Sequence, residues 1–401
     1  MTTQSLQSEV GPDSLAMRLR AARESANLTQ AQAAAELGVS RPLLIAMEKG
    51  AREVQPSELI RLAHIYGVQV SALLRPAAPP TAIGTRFRLA AGSSPSAGNV
   101  NAEIEKIEAL ADNYLDLLRR ARAQPPGRYP SIKTIDHLAP AQAGEDFAME
   151  ERNRLGIGDG PVIQLREILE MEVGLRVFIV PLPSKVAGFF VFVENLGGCV
   201  AANADHPIER RRWTMAHEYA HFLVSRTRAE VTTLDARTKM QESERYADAF
   251  AANFLMPRNG LTRRFHELKR GQGGNVTPAT LVQLAHSYQV SVQALTIRLE
   301  DLGLVKAGTW DKLHDNRFQP RLAATRLGLR PHDEGGHYLP LHYRNLAVQL
   351  YLDGKITEPE LAQYLDASII EARRIYQELT ETRDISEDGA FQFVDLSETS
   401  E

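Results

Sequence analysis

The chain has 401 residues, 43% of them hydrophobic and 24% charged, with a formal net charge of −4. This length exceeds a typical domain and the apolar fraction suffices for ordinary cores, so two or three globular domains are expected. The small net charge by itself favours neither a nucleic-acid nor a membrane partner. The single cysteine, Cys199, excludes an intramolecular disulfide and a cysteine-ligated structural zinc site, and it fits a reducing compartment. Its strand-like surroundings make it a buried structural thiol. Residues 1–12 lack the basic start and apolar core of a signal peptide, and no apolar run approaches the roughly 18 residues of a membrane helix. A cytoplasmic protein with no membrane partner is expected.

From Ser14 to Leu74 the chain reads as short helices. Leu15, Leu19 and Ala22 share a face; Thr29 caps a helix through Leu37, Gly38 makes the turn, Ser40 caps the next through Lys49, and another runs from Pro56 to Tyr66. Two short helices joined by a glycine-containing turn within a small bundle are the pattern of a helix-turn-helix. Leu28-Thr29-Gln30, Ala33 to Ser40, Met47-Glu48-Lys49-Gly50 and Leu62-Ala63 with Tyr66-Gly67-Val68 resemble the phage-repressor (XRE) type of DNA-binding domain, here spanning 12–75. The resemblance implies that Ser40, Arg41 and Pro42 enter the major groove, with Gln30 near the backbone. Arg41 suits guanine O6 and N7. The rest of that helix, Leu43 to Ala46, is apolar, and eight basic against six acidic side chains leave the domain at only +2. Phosphate neutralisation supplies much of the affinity for DNA, so one copy should bind weakly and a dimer would supply what it lacks. The competing use of such a bundle is as a protein-interaction module.

Residues 76–100, rich in Pro, Ala, Ser and Gly, read as a linker, and 101–160 as a helical connector. Ile104, Ile107, Ala111, Tyr114 and Leu118 recur at helical spacing through Arg122, an apolar stripe expected to pack on its own chain. A second helix is expected from Gly144 to Leu155, before a tight turn at Gly158-Asp159-Gly160-Pro161. From 161 a helix (Ile163 to Glu172) precedes three strand-like runs, Leu175 to Val180, Gly188 to Val193 and Gly198 to Asn203, bounded by Gly and Pro. Arg210-Arg211-Arg212, leading into the next helix, reads as a solvated face.

The chemistry concentrates in Arg212-Trp213-Thr214-Met215-Ala216-His217-Glu218-Tyr219-Ala220-His221 and the later Glu244-Arg245-Tyr246-Ala247-Asp248. On a helix, His217 and His221 lie one turn apart on nearly the same face, so both imidazoles can reach one metal ion. Catalytic zinc takes three protein ligands and leaves a position for water, so a third donor must come from elsewhere. Glu244, opening an Ala-rich helical run, is the best candidate, and Asp248 one turn on could accept the free N–H of a ligating histidine. Glu218 points away from the ligands' face yet can reach a metal-bound water, whose pKa falls toward roughly 7, as general base. Hydrolysis of a peptide bond is the reaction this implies. The bland alternative is a chance His-Glu-x-x-His on an amphipathic surface helix; the Glu-x-x-x-Asp behind it and the apolar Trp213, Met215, Phe222 and Leu223 weigh against that.

These motifs, with Phe250-Ala251-Ala252 and Phe254-Leu255-Met256-Pro257, resemble the ImmA/IrrE family of metallopeptidases. Arg152-Asn153-Arg154-Leu155-Gly156, Leu284-Ala285 with Tyr288, Val290-Ser291 and Arg298-Leu299 resemble members carrying an N-terminal XRE domain. The resemblance implies a zincin-like domain, 161–304, with zinc on His217, His221 and Glu244, Glu218 as base, and cleavage of repressor proteins in stress or mobile-element control. Asp248 stands where many relatives carry Asn, so either acid could be the third ligand; the Glu-x-x-x-Asp order favours Glu244. Ala220 replaces a common glycine, harmlessly in a helix. Zincin-like peptidases receive substrate along an edge strand beside the metal helix, here expected at Gly198 to Asn203. The sequence names no group that stabilises an oxyanion, and His206 and nearby tyrosines are no more than possibilities.

The remaining chain, 305–386, holds three helical segments, Leu341 to Leu350, Thr357 to Leu365 and Ser368 to Leu379, around a further helix-turn-helix candidate, with loops at Trp310 to Lys312 and Gly335-Gly336. The acidic tail, 387–401, is expected to fray. The fold expected is mainly α: a helical N-terminal bundle, an α+β zincin-like domain with a small sheet, and a helical C-terminal region. The function expected is that of a zinc endopeptidase fused to a DNA-binding domain, acting on a repressor or other regulatory protein. Two other classes compete with it. One is a DNA-binding regulator using the peptidase-like domain as a metal or stress sensor, which would have no need of Glu218. The other is an antitoxin-like binding module, which would tolerate Glu218→Ala.

Overall fold

The computed structural model describes residues 12–26, 28–66, 70, 73, 101–125, 129–135, 138–193, 196–226, 230–233, 242–332, 338–380, 383–385 and 391–393. The linker expected at 76–100, the Gly335-Gly336 loop and most of the tail lie outside them. The chain divides into two compact units, Met1–Thr81 and Ala82–Glu401.

In the first unit α1 (Pro12–Ser25), α2 (Gln30–Leu37), α3 (Arg41–Glu48) and α4 (Pro56–Tyr66) close over Leu15, Leu19, Leu37, Leu44, Met47, Leu62 and Tyr66. Thr29 starts α2 with a capping box shared with Gln32, worth on the order of 1 kcal/mol, and Gly38 ends it in the left-handed region at φ 78°. Ser40 stands at the entrance to α3 in extended backbone, but its side chain makes no cap, contrary to expectation. Pro42 occupies the second helical position and has no N–H to offer the hydroxyl, and the next N–H, that of Leu43, donates to the Ser40 carbonyl at 3.0 Å. Arg23 and Glu48 form a buried ion pair (Nε to Oε1, 2.6 Å) between α1 and α3.

The second unit is built on one mixed sheet of β1 (Arg176–Val180), β2 (Val186–Val193), β3 (Gly197–Asn203) and β4 (Glu230–Thr233), in the order β1-β3-β2-β4. β1 runs parallel to β3 and the other neighbours are antiparallel. Alternate side chains serve two cores: Val177, Ile179, Val200 and Ala202 face one, while Phe178, Val180, Cys199 and Ala201 face the other. With both faces covered, β1 and β3 are buried throughout. The Cys199 thiol is among these buried groups, and burial pushes its pKa up to about 12.

β3 therefore lies inside the sheet, bonded on both sides, and cannot take an added strand as expected. The outer strands are β1 and β4. The Ile179 N–H of β1 already donates to the Tyr338 carbonyl at 2.8 Å. β4, four residues of Glu-Val-Thr-Thr, is too short and polar for a periodic signal to reveal.

The first core is completed by α6 (Pro140–Arg154), α7 (Ile208–Val224), α8 (Glu242–Leu255), α9 (Arg258–Gly271), α10 (Pro278–Tyr288) and α11 (Val292–Asp301), following α5 (Asn101–Ala121) in the chain. α6 begins at Pro140, a turn before Gly144, because proline in the first turn loses no hydrogen bond. Gly144 instead lies where α6 crosses α8: a Cβ there would sit 2.7 Å from Tyr246 O and Phe250 N. The helix expected over Ile163 to Glu172 is a single turn, Leu165–Glu167, running into a π-helical turn, Ile168–Val173, that Gly174 ends at φ 82°. Between α11 and the C-terminal helices stand α12 (Thr309–Asp315) and α13 (Pro320–Arg326), which bury no residue and so carry no period to read.

The second core joins α5 to α14 (Leu341–Leu352), α15 (Glu358–Tyr364) and α16 (Ile369–Thr380) on the far face of the sheet. α5 thus packs on its own chain, as its stripe implies. Tyr114 meets His342 Nδ1 at 2.5 Å and stacks edge-on against Tyr343. An antiparallel hairpin of β5 (Arg383–Ile385) and β6 (Phe391–Phe393) follows, so part of the tail expected to fray is paired.

Candidate metal centre

The site grows from α7. Its first turns are anchored by Arg212, fully buried, which donates to the carbonyls of Ile163 (3.0 Å), Gln289 (3.2 Å) and Val162. Arg212 is therefore a structural tie and not part of a solvated basic face, because three backbone acceptors replace its water. Two turns on, α7 is buried continuously from Thr214 to Leu223, with Met215, Phe222 and Leu223 in the core.

His217 and His221 stand with their rings 4.9 Å apart and their Nε2 atoms 3.1 Å apart. α8 brings Glu244 over them: Oε2 lies 3.3 Å from His217 Nε2 and Oε1 lies 3.5 Å from His221 Nε2. These three side chains are the group that could hold a metal ion among the described residues. A tetrahedral ion with ligands at about 2.0–2.1 Å separates its donor atoms by roughly 3.3 Å, so the spacing and the N, N, O chemistry fit zinc. Asp248 takes the far side of the His217 ring, its Oδ1 3.0 Å from Nδ1. That contact orients Nε2 towards Glu244, so the two acids meet opposite nitrogens of one imidazole.

Burial opposes a charge on His217, but Asp248 and Glu244 outweigh it and raise its pKa to about 9, with Glu218 adding to the rise. Burial likewise opposes a charge on Glu244, and the two histidines overcome it, holding its carboxyl far below the usual range. Glu218 is fully buried beside the pair. Metal binding must displace the proton on His217, since a ligating imidazole nitrogen needs its lone pair.

Tyr219, between the motif histidines, turns into the core and donates to Glu151 Oε2 at 2.6 Å, while Arg154 donates to the Tyr219 oxygen at 3.1 Å. Burial, reinforced by Glu151, raises the Tyr219 pKa well above its ordinary value. This tie between α6 and α7 escaped sequence reading, although Arg154 lies in the Arg152-Asn153-Arg154-Leu155-Gly156 run and Glu151 immediately precedes it. Tyr246 is buried against Phe147 and Phe250. His206 is held at the Ser184 carbonyl, 3.2 Å from Nε2, and burial lowers its pKa. The tyrosines suggested for an oxyanion role are thus core residues, and His206 is engaged elsewhere.

In the first unit Ser40, Arg41 and Pro42 are exposed together at the start of α3. Gln30 is half-buried, and its Nε2 donates to Glu48 Oε2 at 3.0 Å, beside the Arg23 pair.

A mixed sheet backed by a helix with paired histidines, and crossed by a helix that brings a carboxylate to them, has the architecture of a metallopeptidase-like domain. Residues 170–300 match the family described as IrrE N-terminal-like domain, and residues 14–75 match a helix-turn-helix domain. The chain carries an IrrE N-terminal-like domain behind an N-terminal helix-turn-helix domain. No curated protein matches the chain. Among solved structures, ComR from Streptococcus suis is similar at 13% identity, covering 91% of this chain and 92% of its own, with a TM-score of 0.15. The apo form of the competence regulator ComR from Streptococcus vestibularis is similar at 14% identity over 86% of this chain and 99% of its own, also at 0.15. Superpositions that poor carry no argument. No helix among the described residues is long and apolar enough to cross a membrane.

Proposed function

We propose that the protein is a zinc-dependent endopeptidase that cleaves a specific regulatory protein, a repressor in the first instance, and binds DNA through its first unit. The observation that carries this reading is the convergence of His217 Nε2, His221 Nε2 and the Glu244 carboxylate within 4.8 Å of one another, beside the buried Glu218. His217, His221 and Glu244 hold the metal, and Asp248 keeps the His217 ring in the tautomer that ligation needs. Bound there, a zinc ion supplies Lewis acidity and lowers the pKa of water. Glu218 accepts the proton of the attacking water at its carboxylate and returns it to the leaving amine as the C–N bond breaks. Burial of Glu218 supports this role, since a metal sensor without turnover has no use for a buried acid beside its ligands. Ser40, Arg41 and Pro42, exposed at the head of α3, are the residues for the major groove.

Mass spectrometry of new protein termini, in cells expressing the wild type or Glu218→Ala at equal levels, tests the reading. Termini found only with the wild type establish proteolysis and name the substrate. Identical sets under every stress tried, with DNA occupancy maintained, would replace it by the sensor-regulator reading.

A further inference from the structure

The described surface pairs many of its cations. Arg20, Arg52, Arg119, Arg120, Arg154, Arg258, Arg263 and Arg373 each face an acid within 4.0 Å. The segment from Lys306 to Arg330 departs from this habit. It carries six basic and two acidic side chains, a net of +4 in a chain whose total is −4. Lys306, Lys312, Arg317, Arg321, Arg326 and Arg330 are all exposed. Among the described residues none of the six is in an ion pair within 4.0 Å, whereas the pairs named above are.

The placement is ordered. Phe318, Ala323, Ala324 and Leu329 pack against the first core, which fixes α13 and its flanks and turns the intervening positions outward. Arg321 and Arg326 stand near the two ends of α13, with Arg317 and Arg330 on the turns beside it. Four guanidiniums, fixed in charge and rich in donors, suit phosphate oxygens better than a hydrophobic partner.

We propose that the Arg317–Arg330 surface binds the phosphate backbone of DNA, as a sequence-independent second contact for a chain whose helix-turn-helix unit has a net charge of only +2. The proposal rests on the reading that the first unit binds DNA. The C-terminal helices and hairpin are a poor rival for this role. Residues 338–393 carry five basic and ten acidic side chains, and Arg373 and Arg374 of α16 face Glu358 and Glu378.

The test uses the full chain with a random-sequence duplex and fluorescence anisotropy over a salt series. Three variants are compared with wild type: Arg41→Gln with Lys49→Gln in the first unit, Arg373→Gln with Arg374→Gln on α16, and the quadruple Gln variant at Arg317, Arg321, Arg326 and Arg330. The quadruple variant is expected to weaken binding and to flatten the slope of log affinity on log salt by about 0.9 per lost phosphate contact, roughly 3 to 4 in all. The α16 variant is expected to change neither. Loss in the first-unit variant with wild-type affinity and slope in the quadruple variant would overturn the proposal and leave the helix-turn-helix reading standing. Loss in the quadruple variant alone would sink the helix-turn-helix reading and overturn the proposal of a second contact, leaving the Arg317–Arg330 surface as the chain's own DNA site. A quadruple variant that keeps its DNA slope but loses binding to polyglutamate would mark the surface as one for acidic protein segments, and would also overturn the proposal. A photocrosslinker at Leu322, exposed within the cluster, is expected to capture DNA, and one at Ile370 on α16 is not.

Discussion

His217 concentrates the electrostatics of the site: its ring is buried, Asp248 holds one nitrogen and Glu244 faces the other. Its pKa is raised from 6.5 to about 9 in the metal-free protein. A raised folded-state pKa contributes stability that is complete below about 6.5 and lost as pH rises through about 9. Metal-free protein, made as Glu218→Gln to prevent self-digestion, is therefore expected to lose thermal stability across that window. His217→Gln should remove most of this dependence. At pH 7.5 zinc must displace the proton, so titration calorimetry in buffers of different ionisation enthalpy is expected to show release of about one proton per zinc bound. An uptake of zero protons at that pH would mean that His217 is neutral before the metal arrives. These roles were legible in the sequence because helical spacing alone puts His217 and His221 on one face. The preference for Glu244 over Asp248 rested on the Glu-x-x-x-Asp order alone, because one turn of helix separates the two acids; the crossing of α8 over α7 brings Glu244 to Nε2 and Asp248 to Nδ1.

At the scale of elements, α7 is held in place from behind. Arg212 ties its first turns to carbonyls from the segment before the sheet and from the end of α10, and Tyr219 ties its middle to α6. Replacing the guanidinium with an apolar side chain strands three carbonyl groups, each costing about 1 kcal/mol or more when buried and unmet. Arg212→Met is expected to destabilise the second unit by about 3 kcal/mol, read as a shift in the urea midpoint. A change below roughly 0.5 kcal/mol would mean that the carbonyls find water instead. Sequence pattern failed here for a definite reason. Three consecutive arginines at a helix entrance look alike, and nothing local marks which one finds acceptors on Val162, Ile163 and Gln289. The same limit hid the interior position of β3, since a buried strand and an edge strand whose first six residues are small or apolar read identically.

At the scale of the molecule, the two units have separate cores, and the metal site lies wholly within the second. Zinc bridging α7 and α8 should stabilise only the unit that contains them, by about 4 kcal/mol at a thousandfold excess over the dissociation constant. Chelation of the Glu218→Gln protein is expected to lower the melting transition of the second unit and leave that of the first unchanged in calorimetry. Equal shifts in both would show that the units are energetically coupled.

Local signals determined the helices of the first unit, the position of α7 and the pairing of His217 with His221 on one face, because caps, periodicity and i, i+4 spacing are written in neighbouring residues. Tertiary structure alone decided the strand order, the burial of Arg212 and the joining of α5 to the C-terminal helices across the sheet. Each of these depends on groups distant in sequence meeting in space, where burial and unmet hydrogen bonds select the partner and no short window of sequence contains both sides of the contact.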